Sequence, residues 1–215
     1  MTTNHFATDL ADKLFGTDAA TTGTSLMRAA LRLLAHGEPI TVTQLATAAD
    51  VSAAAVESAP AAQDIEYDDQ RRIVGWGLTL NPTPHRFTVH GHPMYAWCAA
   101  DTLLFPAIIG TAAQVESPCP TTGTPIRMTV DPVSGVTDLD PATAVISIPS
   151  PDELALTRVR ATICNPGRFF ATADAARDWL AQHPGGTVLP VADAYHQLRP
   201  ISERVLGESD THLCC

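Results

Sequence analysis

Residues 41–80 read TVTQLATAADVSAAAVESAPAAQDIEYDDQRRIVGWGLTL. The first half splits into two short amphipathic runs. Thr41 or Thr43 can cap the first and Ser52 the second, with a turn at Asp50–Val51 between them. The second half holds two strand-like runs, IEYDD and RRIVGWGLTL, joined by a polar turn near Asp68–Gln70. Two helices at a tight turn followed by a hairpin make a winged-helix module. Just upstream, SLMRAALRLLAHG places Leu26, Ala30, Leu33 and Leu34 on one helical face, with Ser25 as cap and Gly37 as stop. Residues 1–24 are polar and rich in Thr, Ala and Asp, and are expected to be a mobile lead into that helix.

A winged helix ordinarily enters DNA with its second helix. The charges here exclude that use. No Lys or Arg lies between Arg32 and Arg71, and the helix after Ser52 offers only Glu57. The whole chain carries 13 Lys plus Arg against 23 Asp plus Glu, a formal charge of −10, which repels phosphate backbones and anionic lipid heads. The module is therefore expected to be a helical cap on a second domain, with no nucleic acid and no membrane as partner.

Downstream, Asn81-Pro82-Thr83-Pro84 is a proline-rich joint, so the boundary is placed there: 1–82 as the winged-helix-like domain and 83–215 as the second. In the second part, RFTVHG reads as a strand. MYAWCAADTLLFPAIIG reads as a helix that Pro106 ends or kinks. AAQVES, PIRMTV, TAVISIP and RVRATIC read as strands separated by Gly/Pro turns. ADAARDWLAQH and Val191–Leu206 read as helices. The expected fold class is α+β, with a mostly antiparallel sheet in the second domain. THLCC is expected to be a flexible tail.

At 45% hydrophobic and 17% charged residues, the 215-residue chain has globular composition. It shows neither an export signal nor a run long enough to span a bilayer, so a cytoplasmic location is expected. Its five cysteines, Cys98, Cys119, Cys164, Cys214 and Cys215, are odd in number and irregularly spaced. In a reducing compartment they are free thiols, either small buried apolar groups or soft ligands and nucleophiles.

Cys98 and Asp101 stand three apart in WCAAD, on one face of the expected helix. A carboxylate beside a thiol disfavours the thiolate. That suits a simple nucleophile poorly, but it suits a site where a cation will sit between them or where the carboxylate takes and returns a proton. Cys164, at the end of RATIC and before the Asn165-Pro166-Gly167 turn, is a candidate second ligand for one soft metal. On spacing alone a buried core cysteine is the commoner reading for both. The histidines His85, His90 and His92 approach zinc-like spacing only loosely. Gly75-Trp76-Gly77 inside a strand pattern points to a bulge or a close packing point. There is no phosphate loop, dinucleotide fingerprint or nucleophile elbow.

YAWCAADTLLFPAIIG, AQVESPCPTTGTPIRMTV and ICNPGRFFATADAARDWLAQHPG together resemble the organomercurial (alkylmercury) lyase family, and so do IVGWGLTL and the winged-helix-like start. The resemblance spans about residues 25–206. It implies a lyase that breaks the carbon–mercury bond by protonolysis in mercury detoxification. Cys98 and Cys164 would be mercury ligands and Asp101 the proton carrier, with Cys119 structural. It implies no resident cofactor, low-molecular-weight thiols to remove product Hg(II), and a mercuric reductase as the protein that receives it. Two departures stand out. After the second active-site cysteine, where many relatives have a Cys or His, this chain has Asn165-Pro166-Gly167-Arg168, which could alter the surroundings of the ligands or bring a positive charge to the site. Cys214-Cys215 resembles the cysteine pairs by which mercuric reductases pass mercury, and is expected to hand Hg(II) on. The alternative readings are a winged-helix regulator that senses a soft cation through the same cysteines, and a non-catalytic mercury-binding relative.

Overall fold

A computed structural model describes residues 4–16, 21–156 and 158–207; Cys214 and Cys215 lie outside the described residues. The chain opens with a helix, α1 (Asn4–Phe15), where a mobile lead was expected. Ala7, Leu10 and Ala11 recur at helical spacing and are buried. The helix packs along the C-terminal helix, and Asp12 pairs with Arg204 at 2.6 Å. That partner lies 192 residues away, so local polarity hid the element.

α2 (Thr22–Leu34) begins three residues before the expected cap at Ser25. Thr21 and Thr24 form a reciprocal box: each side-chain oxygen accepts the other's backbone N–H, at 3.2 and 3.1 Å. Its buried face holds Leu26, Ala30 and Leu34, as the periodicity required. α3 (Val42–Ala49) is capped by Thr41, whose partner is Gln44, and α4 (Ala53–Ser58) is capped by Ser52. Asp50 between them takes a left-handed φ of 54° to make the turn.

The strands follow: β1 (Glu66–Tyr67), β2 (Ile73–Trp76), β3 (Leu78–Thr79), β4 (His85–Val89) and β5 (His92–Ala96). After α5 (Ala99–Ile109) come β6 (Ala113–Pro118), β7 (Pro125–Asp131), β8 (Gly135–Asp140) and β9 (Val145–Ile148). β10 (Phe169–Phe170), α6 (Arg177–Gln182), β11 (Thr187–Pro190) and α7 (Val191–Leu206) complete the chain. Eight strands form one antiparallel sheet in the order β1-β2-β3-β5-β4-β6-β7-β8. A second antiparallel sheet has the order β10-β9-β11. The fold is thus α+β, as expected. β3 pairs with β5, so hydrogen bonding continues through the joint at 81–84.

α5 is apolar on nearly every side and is buried among α2, α7 and both sheets. Two expectations fail around it. Met94–Ala96 belong to β5 rather than to the helix, and Pro106 does not end it: α5 runs three residues further, to Ile109. RVRATIC is not a strand either. Arg160–Cys164 form a single π-helical turn closed by the Asn165 N–H on the Arg160 carbonyl at 2.8 Å. The alternation of Val159, Ala161 and Ile163 mimics a strand, but no neighbouring strand takes up its backbone groups. Instead the Arg160 N–H donates to the Asp64 carboxylate at 3.2 Å.

Gly75 and Gly77 are close-packing points. A Cβ on Gly75 would stand 2.6 Å from Thr79 Oγ1 and 2.7 Å from Glu66 Oε2. A Cβ on Gly77, at φ +78°, would meet the Phe105 ring at 2.7 Å.

Candidate active site

Cys98 sits where β5 hands over to α5. Its backbone is extended, φ −141° and ψ 171°, which makes it the helix N-cap rather than a residue of the first turn. Asp101 is the third helical residue, and its Oδ2 accepts the Cys98 N–H at 3.0 Å. The three-residue spacing thus works through a capping box and not through a shared helical face. The π-helical turn brings Cys164 in from the opposite side. The Cys98 and Cys164 sulfurs and an Asp101 carboxylate oxygen lie within 4.8 Å of one another. Among the described residues this is the one group of three such side chains close enough to hold a metal ion. All three expected site residues therefore meet.

The segment after Cys164 is stitched to the helix start. The Ala99 N–H donates to the Gly167 carbonyl at 3.4 Å, and Trp179 Nε1 donates to the Pro166 carbonyl at 2.8 Å. Ser147 exchanges bonds with Arg168: the Arg168 N–H donates to Ser147 Oγ at 3.0 Å, and the Ser147 N–H donates to the Arg168 carbonyl at 2.9 Å.

Burial dominates the electrostatics. It pushes Asp101 up to about 7, although hydrogen bonds from the Cys98 thiol and N–H, and the charge of Arg160, pull the other way. The hydrogen bond with Cys164 lowers the Cys98 pKa, but burial and the Asp101 carboxylate outweigh it and leave it raised. Cys164 is raised well above the ordinary thiol value, because it gives its hydrogen bond to Cys98, is buried, and faces Asp101. Both thiols are therefore held in the protonated form at neutral pH.

The expected positive charge is present. Burial lowers the Arg168 pKa, and the nearby Cys98 sulfur partly restores it. Behind Arg168, the buried His85 is held near 3 by burial and by the Arg168 charge, so it is neutral. His85 Nε2 accepts from Arg168 at 3.3 Å, which leaves Nδ1–H to donate to Ser117 Oγ at 2.9 Å. Both ring nitrogens are engaged. His90 instead stacks on His36 with ring centroids 5.9 Å apart, so His85, His90 and His92 do not converge. Cys119 is buried in the turn before β7, where its N–H donates to the Thr124 carbonyl at 2.8 Å.

The sulfurs open onto a cavity of about 560 Å3. Its walls are mostly apolar: Leu10 and Leu14 from α1, Phe105 and Ile108 from α5, Ile201 and Val205 from α7. The N-terminal helix that sequence reasoning missed thus forms part of the chamber. Sequence reasoning also missed Trp97 and Arg160, which belong to the segments that carry the thiols, and Glu66, which joins them. Trp97 Nε1 donates to Glu66 Oε1 at 3.0 Å, Arg160 ion-pairs with the same oxygen, and the guanidinium lies 4.9 Å over the Trp97 ring. Adjacency to Cys98 could have flagged Trp97. No spacing could have linked Glu66 to Arg160, 94 residues apart.

Comparison with known proteins gives the family. A family model described as alkylmercury lyase matches residues 78–203, and one described as the helix-turn-helix domain of alkylmercury lyase matches residues 5–77. An alkylmercury lyase from Streptomyces lividans is 51% identical over 210 residues, covering 97% of this chain and 96% of that one. Those from Bacillus cereus and Pseudomonas putida are 46% and 41% identical, covering 83% and 84% of this chain and 81% and 84% of theirs. A crystal structure of the mercury-bound form of MerB2 shares the fold with a TM-score of 0.71 at 20% identity, covering 94% of this chain and 98% of that one. The chain belongs to the alkylmercury lyase family.

Proposed function

We propose that the chain breaks the carbon–mercury bond of an organomercurial, R–Hg–X, with Cys98, Cys164 and Asp101 as the reacting groups. The observation that carries this is the convergence of two sulfurs and one carboxyl within 4.8 Å at the wall of an apolar cavity. Mercury is soft and thiophilic, so thiolates are the fitting ligands. Cys98 bonds to mercury and displaces X, its thiol proton leaving with X as HX, and this forms R–Hg–S. The mercury cation then reverses the local balance that kept Cys164 protonated. Asp101, in its carboxylate form, takes the Cys164 proton, and the new thiolate adds to mercury. Two sulfurs push electron density onto the carbon. Asp101, with a proton affinity near neutrality, gives the proton to that carbon. The C–Hg electron pair becomes the C–H bond, RH leaves, and Hg(II) stays on Cys98 and Cys164 beside the restored Asp101 carboxylate. No resident cofactor enters this sequence.

The reading extends to partners. Hg(II) held by two buried thiolates leaves by exchange with low-molecular-weight thiols or with a mercuric reductase. Val205 lines the cavity, and Cys214 follows nine residues later, a reach of up to about 30 Å for extended chain. Cys214 and Cys215 are accordingly assigned to the hand-off. On this reading the part before residue 83 supplies a wall of the chamber, and the part after it supplies the reacting groups. Among the described residues no helix is long and apolar enough to cross a membrane. Together with free thiols this supports a cytoplasmic site of action. The absence of basic residues from α3 and α4 speaks against a DNA-binding regulator.

The test is to incubate the chain with methylmercury and excess thiol and to measure methane and Hg(II). Both should appear. Tight Hg(II) binding with neither product would leave a mercury-binding protein and remove the enzyme.

A further inference from the structure

Glu66 belongs to the wing of the helix-turn-helix segment, 32 residues before Cys98 and 98 before Cys164. Its side chain is only 12% exposed and carries four hydrogen bonds. Oε1 accepts from Trp97 Nε1 at 3.0 Å and from Arg160. Oε2 accepts from Thr79 Oγ1 and from Asn81 Nδ2, each at 2.6 Å. The β-sheet is shaped to allow this. Any side chain at Gly75 would collide with Glu66 Oε2 and Thr79 Oγ1, so the absent Cβ leaves a passage through which the bond between them runs.

The two donors on Oε1 lie just upstream of the two thiols, Trp97 one residue before Cys98 and Arg160 four before Cys164. Trp97 is the residue before Cys98, and its own N–H is fixed on the Gly77 carbonyl at 2.8 Å. Arg160 opens the π-helical turn that ends in Cys164, and its backbone N–H is held by Asp64. Its guanidinium also packs over the Trp97 ring. One carboxylate oxygen thus bridges the two chain segments that carry the sulfurs.

We propose that Glu66 is a positioning residue for the two-thiol step, a clamp from the N-terminal segment that holds the Cys98 and Cys164 segments in register. This rests on the assignment of both cysteines as joint mercury ligands. Glu66 touches neither sulfur. It acts through Trp97 and Arg160. Binding of R–Hg+ to one thiolate does not need the clamp; addition of the second thiolate does.

The test compares the full chain with Glu66→Gln, which keeps the shape and removes the charge, and with Gly75→Ala, which displaces the carboxylate without altering it, all three carrying Cys214→Ala and Cys215→Ala so that the tail thiols bind no mercury. With methylmercury as substrate, kcat should fall by roughly tenfold to a hundredfold, the range for groups that orient metal ligands, while KM stays within about threefold. Intact-mass analysis should show methylmercury accumulating at one per chain, with Cys164 left open to iodoacetamide. A residue important only for stability would lower folded yield and the melting temperature without trapping that adduct. Mercuric chloride alone gives a readout independent of turnover. The ultraviolet charge-transfer band should report two-thiolate Hg(II) in the unaltered chain and one-thiolate Hg(II) in both variants. Identical bands in all three, or variant turnover within about twofold of the unaltered chain, would overturn the clamp. Failure of the unaltered chain to release methane would count against the lyase chemistry instead.

Discussion

Asp101→Asn should make the free protein more stable while removing its activity, and the gain should appear only as pH rises. In the folded chain the Asp101 proton affinity is about 7, against an ordinary 3.8. Below about pH 4 the residue is protonated whether the chain is folded or not, and it has no bearing on the balance. Between about 4 and 7 the unfolded chain has lost the proton and the folded chain keeps it. The stability present at low pH is therefore lost as pH rises through the folded value. A change from 3.8 to about 7, at ~1.4 kcal/mol per tenfold, amounts to about 4 kcal/mol. That is an upper bound, since the carboxyl borders a cavity that water can enter; about 2 kcal/mol is the working figure. Asn is nearly isosteric, and its carbonyl can still accept the Cys98 N–H, so the helix start survives. The assay is urea unfolding of both proteins at pH 4, 6 and 8. The two should coincide at pH 4 and diverge by about 2 kcal/mol at pH 8, with the variant more stable and unable to release hydrocarbon. Parallel curves at all three pH values would refute the claim that burial holds a proton on Asp101.

Cys164→Ala should still bind one methylmercury through Cys98 but release no methane, as gas chromatography and intact mass would show; Cys98→Ala should lose turnover and most of the initial capture. Replacing Cys214 and Cys215 with Ala should leave single-turnover cleavage unchanged and slow Hg(II) transfer to a mercuric reductase, and equal transfer rates in stopped flow would remove the tail from the pathway. Gly77→Ala puts a Cβ at φ +78° and 2.7 Å from the Phe105 ring, and should cost about 2–4 kcal/mol in urea unfolding. Leu10→Ala empties a buried contact of α1 on the chamber wall and should cost about 2–3 kcal/mol while shifting KM for bulky mercurials.

The parts of the fold legible in the sequence were those whose causes are local. Thr41 and Ser52 cap their helices because each needs only a backbone N–H three residues on. β6 and β7 show buried–exposed alternation and were read as strands. What escaped depends on partners far away. α1 is helical against α7, and β10 is two residues long and exists only because β9 lies beside it. β8, mostly exposed at the sheet edge, lacks the apolar alternation that marks a strand. For the site, Cys98 and Asp101 were legible as a pair, though the true link is a cap. Cys164 could not be joined to them by spacing, because a π-helical turn preceded by Arg160, Glu66 and Asp64 contacts brings it there.

In the proposed reaction one aspartate serves twice, and the helix N-cap is the feature that would let it do so. At rest its carboxyl accepts the Cys98 N–H, a bond that needs only an oxygen and is made by either protonation state. The helix start therefore keeps this cap in both states, and the bond is the stronger to the carboxylate, which is why it lowers the Asp101 pKa. A carboxyl whose structural duty demanded the charge could not cycle between acid and base without loosening the fold at each turnover. Here the backbone bond fixes one oxygen, and burial sets the proton affinity near neutrality, so proton uptake and return change charge without changing geometry. The same logic accounts for the reluctance of both thiols to ionise. In the proposed reaction their protons leave when mercury supplies the compensating charge, which would tie ionisation to the presence of substrate rather than to ambient pH.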